Sequence, residues 1–227
     1  MAGTGANSLA AVGLFMPFML ILSALATGIG IVGSSAISRA IGAKNRKKAG
    51  DIAGHTTIAG IVIGVVAAFS IFPLLEKIFL IMGAISTIAS IAADYGRIII
   101  FGSPFIFLSF LGSAILRGEG DAKRAMYIMI ISAIINIFLD PIFIYYFNLG
   151  VNGAAIATVI SILFSAVVII YWLLLKKDAY VQFSIRHFVH NWEIIKETFR
   201  VGIPSSLAQI SISLTMMLIN TIVIMAG

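Results

Sequence analysis

The sequence predicts an all-α, polytopic membrane protein with six transmembrane helices. Of the 227 residues, 60% are hydrophobic and 11% are charged, whereas soluble domains carry about a quarter charged residues. The mean hydropathy is +1.11. A chain with so few charges cannot cover a water-facing surface of this size, so we expect most of its surface to face lipid.

Six apolar stretches account for most of the chain. Each reaches or exceeds the ~20 residues that a helix needs to cross the hydrocarbon core of a bilayer. None keeps one whole face polar, as the surface helix of a soluble protein does. The stretches cover residues 9–36, 52–80, 91–116, 125–147, 153–175 and 201–225.

The basic residues alternate between the connections. Short loops rich in Lys and Arg stay in the cytoplasm, so the first, third and fifth connections are predicted to face inward. The alternative, that a net charge of +6 marks a nucleic-acid surface, lacks the interleaved aromatic residues and the continuous basic face that such a surface needs. We therefore expect a lipid bilayer around the chain and no nucleic-acid partner. The three connections hold 13 of the 15 basic residues, namely Arg39, Lys44, Arg46, Lys47, Lys48, Arg117, Lys123, Arg124, Lys176, Lys177, Arg186, Lys196 and Arg200.

The two ends of the chain suggest that more sequence belongs to it. An inward first connection places the residues before Leu9 outside the cell, yet residues 1–8 contain neither a basic segment nor a cleavage site. Residues 221–227 stop within an apolar run. We expect one further helix before Leu9 and further sequence after Gly227.

Asp140 is the main candidate for a functional residue. It lies in the fourth apolar stretch, and acidic residues inside membrane spans are costly and usually form ion or proton sites. Asn136 is one helical turn earlier on the same face, and Pro141 has no amide hydrogen to donate to the carbonyl of Ile137. These oxygens suit Na⁺ or a proton relay. The alternative is an Asp140 that is merely solvated near the outer interface, close to the turn at Asn148.

Thr158 is the second candidate. It lies in the fifth stretch, which antiparallel packing places beside the fourth, so its hydroxyl can complete a ligand set with Asp140. The alternative is a hydrogen bond to the carbonyl of Ala154, a common threonine contact in helices. In the last stretch, Gln209 and Asn220 either line a polar cavity or pair with neighbouring helices.

Two other polar groups favour no catalytic role. Asp94, Tyr95 and Arg97 begin the third stretch and are predicted to form a solvated cluster at the outer interface. Residues 118–121 (GEGD) match the Gly-x-Gly-Asp pattern of intramembrane aspartyl proteases, which need two facing carboxylates that share a proton. Basic residues flank this motif, so it belongs to an inner loop, and we expect no enzyme.

Five segments together resemble the multidrug and toxic compound extrusion (MATE) family. They occur in the family's order and at its spacing across nearly the whole chain. The Asp-Pro pair is similar to the DinF-like branch. The segments are 38–45 (SRAIGAKN), 116–121 (LRGEGD), 139–141 (LDP), 150–158 (GVNGAAIAT) and 201–204 (VGIP).

The resemblance implies a lobe of a larger transporter. The six stretches correspond to the family's second to seventh helices, so residues 1–200, with the cytoplasmic connection 176–200, form the amino-terminal lobe without its first helix. Residues 201–227 begin the second lobe. The family's cation site maps onto Asp140, Asn136 and Thr158. A polar amide expected from the third stretch is absent, and Ser109 and Ser113 are its candidate replacements.

The implied function is export rather than catalysis. We expect a multi-pass protein of the cytoplasmic membrane that exchanges Na⁺ or H⁺ for drugs or other amphiphilic or cationic small molecules, with no cofactor beyond the coupling ion and no metal beyond Na⁺ at Asp140. The missing first helix and second lobe are its expected partners. One alternative is a flippase of the same superfamily for lipid-linked oligosaccharides, which cationic residues in the cavity would favour. Less favoured alternatives are an intramembrane aspartyl protease and a non-transporting assembly subunit.

Overall fold

The computed structural model describes residues 5–175 and 181, together with residues 211, 214–216, 218–219 and 221–222. Within these residues the fold is entirely helical. Single π-helical segments, Ile142–Tyr146 and Tyr171–Leu175, extend the last two of seven α-helices. The α-helices are α1 (Ala6–Gly42), α2 (Arg46–Ile71), α3 (Leu75–Ile81), α4 (Ser86–Phe101), α5 (Ser103–Gly118), α6 (Ala122–Pro141) and α7 (Gly150–Ile170).

Helices α1, α2, α6 and α7 are each long and apolar enough to span a membrane, the last two together with their π-helical extensions. Helices α4 and α5 form a pair bent by 52° that passes the same test when taken together. The described residues therefore contain four helices of membrane-spanning length and a bent pair that can supply a fifth span, which agrees with the prediction of a multi-pass membrane protein. The sixth predicted span, 201–225, lies largely outside the described residues.

Two predicted spans differ from the structure. The stretch 52–80 is not one helix, because α2 ends at Ile71 and α3 is a separate short helix. Pro73 lies in the break and has no amide hydrogen for a continuing helix. The stretch 91–116 is likewise divided, at Gly102.

Small residues allow the helices of this bundle to approach closely, as is usual where helices associate in membranes. A Cβ atom added at Gly64 would lie 2.8 Å from the Cα atom of Pro104, and one added at Gly30 would lie 3.0 Å from the Cβ atom of Ala114. These contacts place α2 and α1 against α5. Toward the amino-terminal end of α1, Phe15 and Phe79 are fully buried in a core shared by α1, α3 and α4.

The basic connections meet at one end of the bundle. The hydroxyl of Ser38, near the end of α1, donates to the carbonyl of Gly118 at 2.9 Å. The guanidinium of Arg124, at the start of α6, lies 5.7 Å from the ring centroid of Trp172, just after α7. The first and third connections thus share one side, and Trp172 and Val181 lie on that side as well. That this side is cytoplasmic stays a prediction from the charges.

Candidate functional site

Helices α6 and α7 bring the three predicted cation ligands together. The Nδ2 atom of Asn136 lies 3.4 Å from Oδ1 of Asp140 and 3.4 Å from Oγ1 of Thr158. Both distances exceed the 2.7–3.2 Å common for N–H···O bonds, so the amide is held loosely between two oxygens. Asn136 thus connects the side chains of Asp140 and Thr158 without a short hydrogen bond to either.

Thr158 also makes the local contact that was the alternative to a ligand role. Its hydroxyl donates to the carbonyl of Ala154 at 2.9 Å. Because that bond uses the only hydrogen of the hydroxyl, the oxygen lone pairs remain directed away from its own helix, toward Asn136. The two interpretations of Thr158 are therefore compatible.

Helix α6 ends at Pro141, one residue after Asp140, and continues as the π-helical segment Ile142–Tyr146. Pro141 cannot donate to the carbonyl of Ile137, and the amide of Phe147 donates to the carbonyl of Ile142 five residues back, at 3.0 Å. Such π-helical turns inside helices often occur at functional sites. The acid therefore lies where the regular helical ladder ends.

Gly153 fixes this irregular turn against α7. A Cβ atom at Gly153 would lie 2.6 Å from both the carbonyl carbon and the carbonyl oxygen of Phe143 and 2.9 Å from the amide nitrogen of Ile144. All three are backbone atoms, which cannot rotate away as the end of a side chain does. The close approach of α7 to the backbone of the π-helical turn depends on the absence of a side chain at Gly153.

Asn136 and Thr158, but not Asp140, line a cavity of about 290 Å³ between α5, α6 and α7. Ser109 lines it, whereas Ser113 is buried and is not among the lining residues. The sequence-based prediction missed Ser132, Ser161 and Ser165. Ser132 lies four residues before Asn136, and Ser161 lies four residues before Ser165, so a spacing of one helical turn was the available signal. The polar side chains that line the cavity are those of Ser109, Ser132, Asn136, Thr158, Ser161 and Ser165.

The missed serines join α6 to α7 on the side of the triad nearer the basic connections. The hydroxyl of Ser132 donates to the carbonyl of Ser161 at 3.0 Å, and that of Ser165 donates to the same carbonyl at 3.3 Å. Ser161 in turn donates to the carbonyl of Ala157 at 2.7 Å. The hydroxyl groups of Thr158, Ser161 and Ser165 thus place polar atoms in the cavity wall along about two turns of α7.

The predicted cluster of Asp94, Tyr95 and Arg97 is only partly correct. Asp94 and Arg97 are partly exposed and form an ion pair of 3.0 Å. Tyr95 faces the opposite way, because it is 8% exposed and its ring packs edge-on against that of Phe15. Tyr95 therefore belongs to the buried core of the bundle rather than to the surface cluster.

The remaining predicted residues lie elsewhere. Gln209 and Asn220 fall outside the described residues. Asp121 of the Gly-x-Gly-Asp motif accepts a hydrogen bond from the amide of Arg124 at 2.9 Å and so caps the start of α6. Its carboxylate also pairs with the Arg124 side chain at 3.1 Å. This motif therefore terminates one helix and begins the next.

Broken helices that surround an intramembrane acid and a polar cavity are characteristic of secondary transporters. The chain belongs to the MatE family, whose sequence model matches residues 1–142. The prediction of a transporter rather than an enzyme, and of the MATE family in particular, is confirmed at the level of the family.

Relatives cover nearly all of this chain. The chain is 35% identical over 93% of its length to the probable multidrug resistance protein YoeA of Bacillus subtilis, and 30% identical over 94% to the multidrug export protein MepA of Staphylococcus aureus. A solved multidrug resistance MATE family transporter of the MOP superfamily, in an inward-facing conformation, matches 98% of the chain with 43% identity and a TM-score of 0.94. The chain spans about half the length of these proteins, 47% of each of the two curated relatives and 51% of the solved chain.

Proposed function

We propose that this chain forms most of the amino-terminal lobe of a cation-coupled antiporter in the cytoplasmic membrane. The transporter would export drugs or other amphiphilic small molecules in exchange for Na⁺ or H⁺. The observation that carries the proposal is the loose triad of Asp140, Asn136 and Thr158, of which Asn136 and Thr158 line a cavity together with four serines. The names of YoeA and MepA support drug export.

In this proposal Asp140 is neutral or charged according to its ion. A carboxylate that holds a proton or Na⁺ costs far less inside a membrane than a bare one. The site lies where Pro141 and the π-helical turn interrupt α6, so the occupied and empty states would favour different shapes of this helix. An ion that binds one shape better shifts the population toward it, and the serine-lined cavity would then open to one side or the other.

The cavity favours a drug exporter over the flippase alternative. Among the described residues that line it, none carries a charge. A flippase for lipid-linked oligosaccharides must bind a phosphate, for which Arg and Lys are the usual partners. An amphiphilic molecule instead needs apolar surface with a few polar contacts, which the serines and their apolar neighbours supply.

The protease alternative lacks the necessary geometry. Its two carboxylates would be Asp121 and Asp140, which lie at opposite ends of α6. Nineteen residues of helix separate them by about 28 Å, at 1.5 Å per residue. Asp121 is also engaged in the cap and ion pair with Arg124, so the two acids cannot share a proton.

The complete transporter requires more than the described helices. Only Ala125 and Ile128 of α6 are buried, so most of the α6 surface is available to further helices or lipid. We propose that a helix preceding Leu9 adds a second acid to the cation site, that residues 1–200 form one lobe and that residues 201–227 begin the second. Gln209 and Asn220 would then line the substrate cavity between the lobes.

Transport by the complete protein tests this proposal. In proteoliposomes with an imposed ion gradient, Asp140→Asn should reduce ion-driven drug efflux at least tenfold, because it removes both the charge and the exchangeable proton. Asn136→Ala and Thr158→Ala should reduce efflux less, because each removes one neutral ligand. The matched control is Asp94→Asn, which changes an acid outside the triad and should retain efflux. Wild-type efflux by Asp140→Asn, with wild-type ion dependence, would refute the assignment.

A further inference from the structure

A cluster of three charges lies at the end of the bundle opposite the basic connections. Arg97 donates to Oδ1 of Asp94 at 3.0 Å and to Oε2 of Glu76 at 3.2 Å. The three side chains are 31 to 50% exposed. The cluster therefore has one positive and two negative charges within reach of a ligand, and neither the cation site nor the substrate cavity contains any of them.

The position of this charge cluster coincides with a membrane boundary. The guanidinium carbon of Arg97 lies 6.0 Å from the ring centroid of Phe72, which directly follows α2. The 26 residues of α2 extend about 39 Å, whereas the hydrocarbon core is about 30 Å thick. Since α2 begins in the basic connection at Arg46, its other end reaches the opposite headgroup region. By the predicted orientation this is the outer leaflet.

Two apolar grooves run from the charge cluster toward the membrane interior. The larger has a volume of about 570 Å³ and separates the end of α2 from the bend between α4 and α5; Val65, Ala68, Phe69, Phe72, Phe101 and Phe105 are among its lining residues. The smaller, of about 330 Å³, lies between α4 and α7 and includes Arg97, Ile156 and Ile160. Phe72 and Phe101 line both grooves, so the grooves lie on either side of these two rings.

Close contacts between the helices hold the walls of these grooves in place. The hydroxyl of Ser103 is buried and donates to the carbonyl of Gly64 at 2.7 Å, which fixes the start of α5 against α2. A Cβ atom at Gly102 would lie 2.7 Å from Cγ2 of Val159, so the bend also packs tightly against α7. The rings of Phe69 and Phe101 nevertheless remain 80% and 73% exposed. The bend thus leaves pre-formed apolar surface just below a charge cluster.

We propose that the charge cluster and the two grooves bind one phospholipid of the outer leaflet, whose headgroup carries a phosphate and a primary ammonium. One acyl chain would lie in each groove. The phosphate would pair with Arg97, and the ammonium would pair with Glu76 or Asp94. A purely anionic headgroup would offer its phosphate to Arg97 but would bring no positive group for Glu76 or Asp94. Charge complementarity therefore selects a zwitterionic headgroup.

Native mass spectrometry of the purified protein with dioleoyl phosphatidylethanolamine or dioleoyl phosphatidylglycerol tests this proposal. Both lipids have the same acyl chains, so their ratio of occupancy reports the headgroup alone. We expect phosphatidylethanolamine to bind about fivefold more tightly, as one interfacial charge contact predicts. Glu76→Gln should remove much of this preference by raising relative phosphatidylglycerol binding, and Arg97→Gln should weaken binding of both lipids, whereas Arg97→Lys should retain most of it.

The groove has its own test and control. Val65→Trp fills the larger groove from a partly exposed position and should reduce occupancy by both lipids without changing their ratio. The matched control is Phe138→Ala, which removes an exposed ring of α6 that lines neither groove and should leave both occupancies unchanged. Equal binding of the two lipids by the wild-type chain, or occupancy that is unaffected by Val65→Trp, would show ordinary boundary lipid and overturn the proposal. The selectivity ratio depends only on protein that has folded, so a loss of yield in one variant does not obscure the result.

Discussion

Replacing Gly153 by alanine tests whether the turn after Asp140 is held in place by the close approach of α7. The added methyl group would lie 2.6 Å from the carbonyl atoms of Phe143. Ordinary van der Waals contact begins near 3.4 Å, so the two backbones must separate by several tenths of an ångström or more. Overpacking of this kind costs about 1–3 kcal/mol. Because Phe143 follows Asp140 by only three residues, the displacement should also move the carboxylate relative to Thr158.

The assay is thermal unfolding in detergent, followed by ion-driven efflux in the complete transporter. For a chain of this size, 1–3 kcal/mol corresponds to a fall in Tm of roughly 2–12 °C. The control is Gly13→Ala in α1, where an added Cβ meets no atom within 4 Å and where alanine has the higher helix propensity. If Gly153→Ala is as stable and as active as Gly13→Ala, the close packing of α7 does not position Asp140.

Two further predictions concern the orientation of the chain in the membrane and the loop that follows α5. Single cysteines in the complete, otherwise Cys-free protein should react with an impermeant thiol reagent in intact cells at Asn152 but not at Lys47, and the reverse pattern would invert the topology. Burial raises the pKa of Glu119, whereas the hydrogen bond that its carboxylate accepts from the amide of Val181 at 2.9 Å lowers it. Of the nearby charges, Asp121 raises this pKa and Arg124 lowers it. Because burial disfavours the charged carboxylate, the protonated group favours the folded state; this stability is complete below the ordinary value of 4.5 and is lost as the pH rises through the raised folded-state pKa. Glu119→Gln keeps an acceptor for Val181 and should remove that loss, which unfolding measured between pH 4 and pH 8 would detect as a flatter profile; an unchanged profile would contradict it.

The sequence was sufficient for the class of fold and for the proximity of Asp140, Asn136 and Thr158, because both follow from local chemistry. Lipid exposure requires long apolar runs, and an intramembrane acid such as Asp140 is rare enough to indicate a function by itself. Asn136 could be placed beside it from the 3.6-residue period alone. Thr158 required only the assumption that α6 and α7 are antiparallel neighbours.

The errors arose where hydropathy carries no geometric information. The bend at Gly102 leaves the apolar pattern of 91–116 uninterrupted, and local hydrogen bonds, such as that from the amide of Gly102 to the carbonyl of Ile98, satisfy the backbone there. Tyr95 looked interfacial because it lies between two charged residues, but neighbouring helix positions point in different directions. The serines of the cavity are individually ordinary, and only the packing of α5, α6 and α7 reveals that they face one space.

The central claim is that Asp140 carries the coupling ion, and the most direct measurement is ion release on drug binding. The purified complete transporter, loaded with H⁺ or Na⁺ in a weakly buffered solution, would be mixed with drug while the released ion is recorded. The proposal predicts that the wild-type protein releases ion in proportion to bound drug, and that Asp140→Asn binds drug but loses the release assigned to this site. Undiminished release from the Asp140→Asn variant would contradict the claim and place the coupling ion elsewhere.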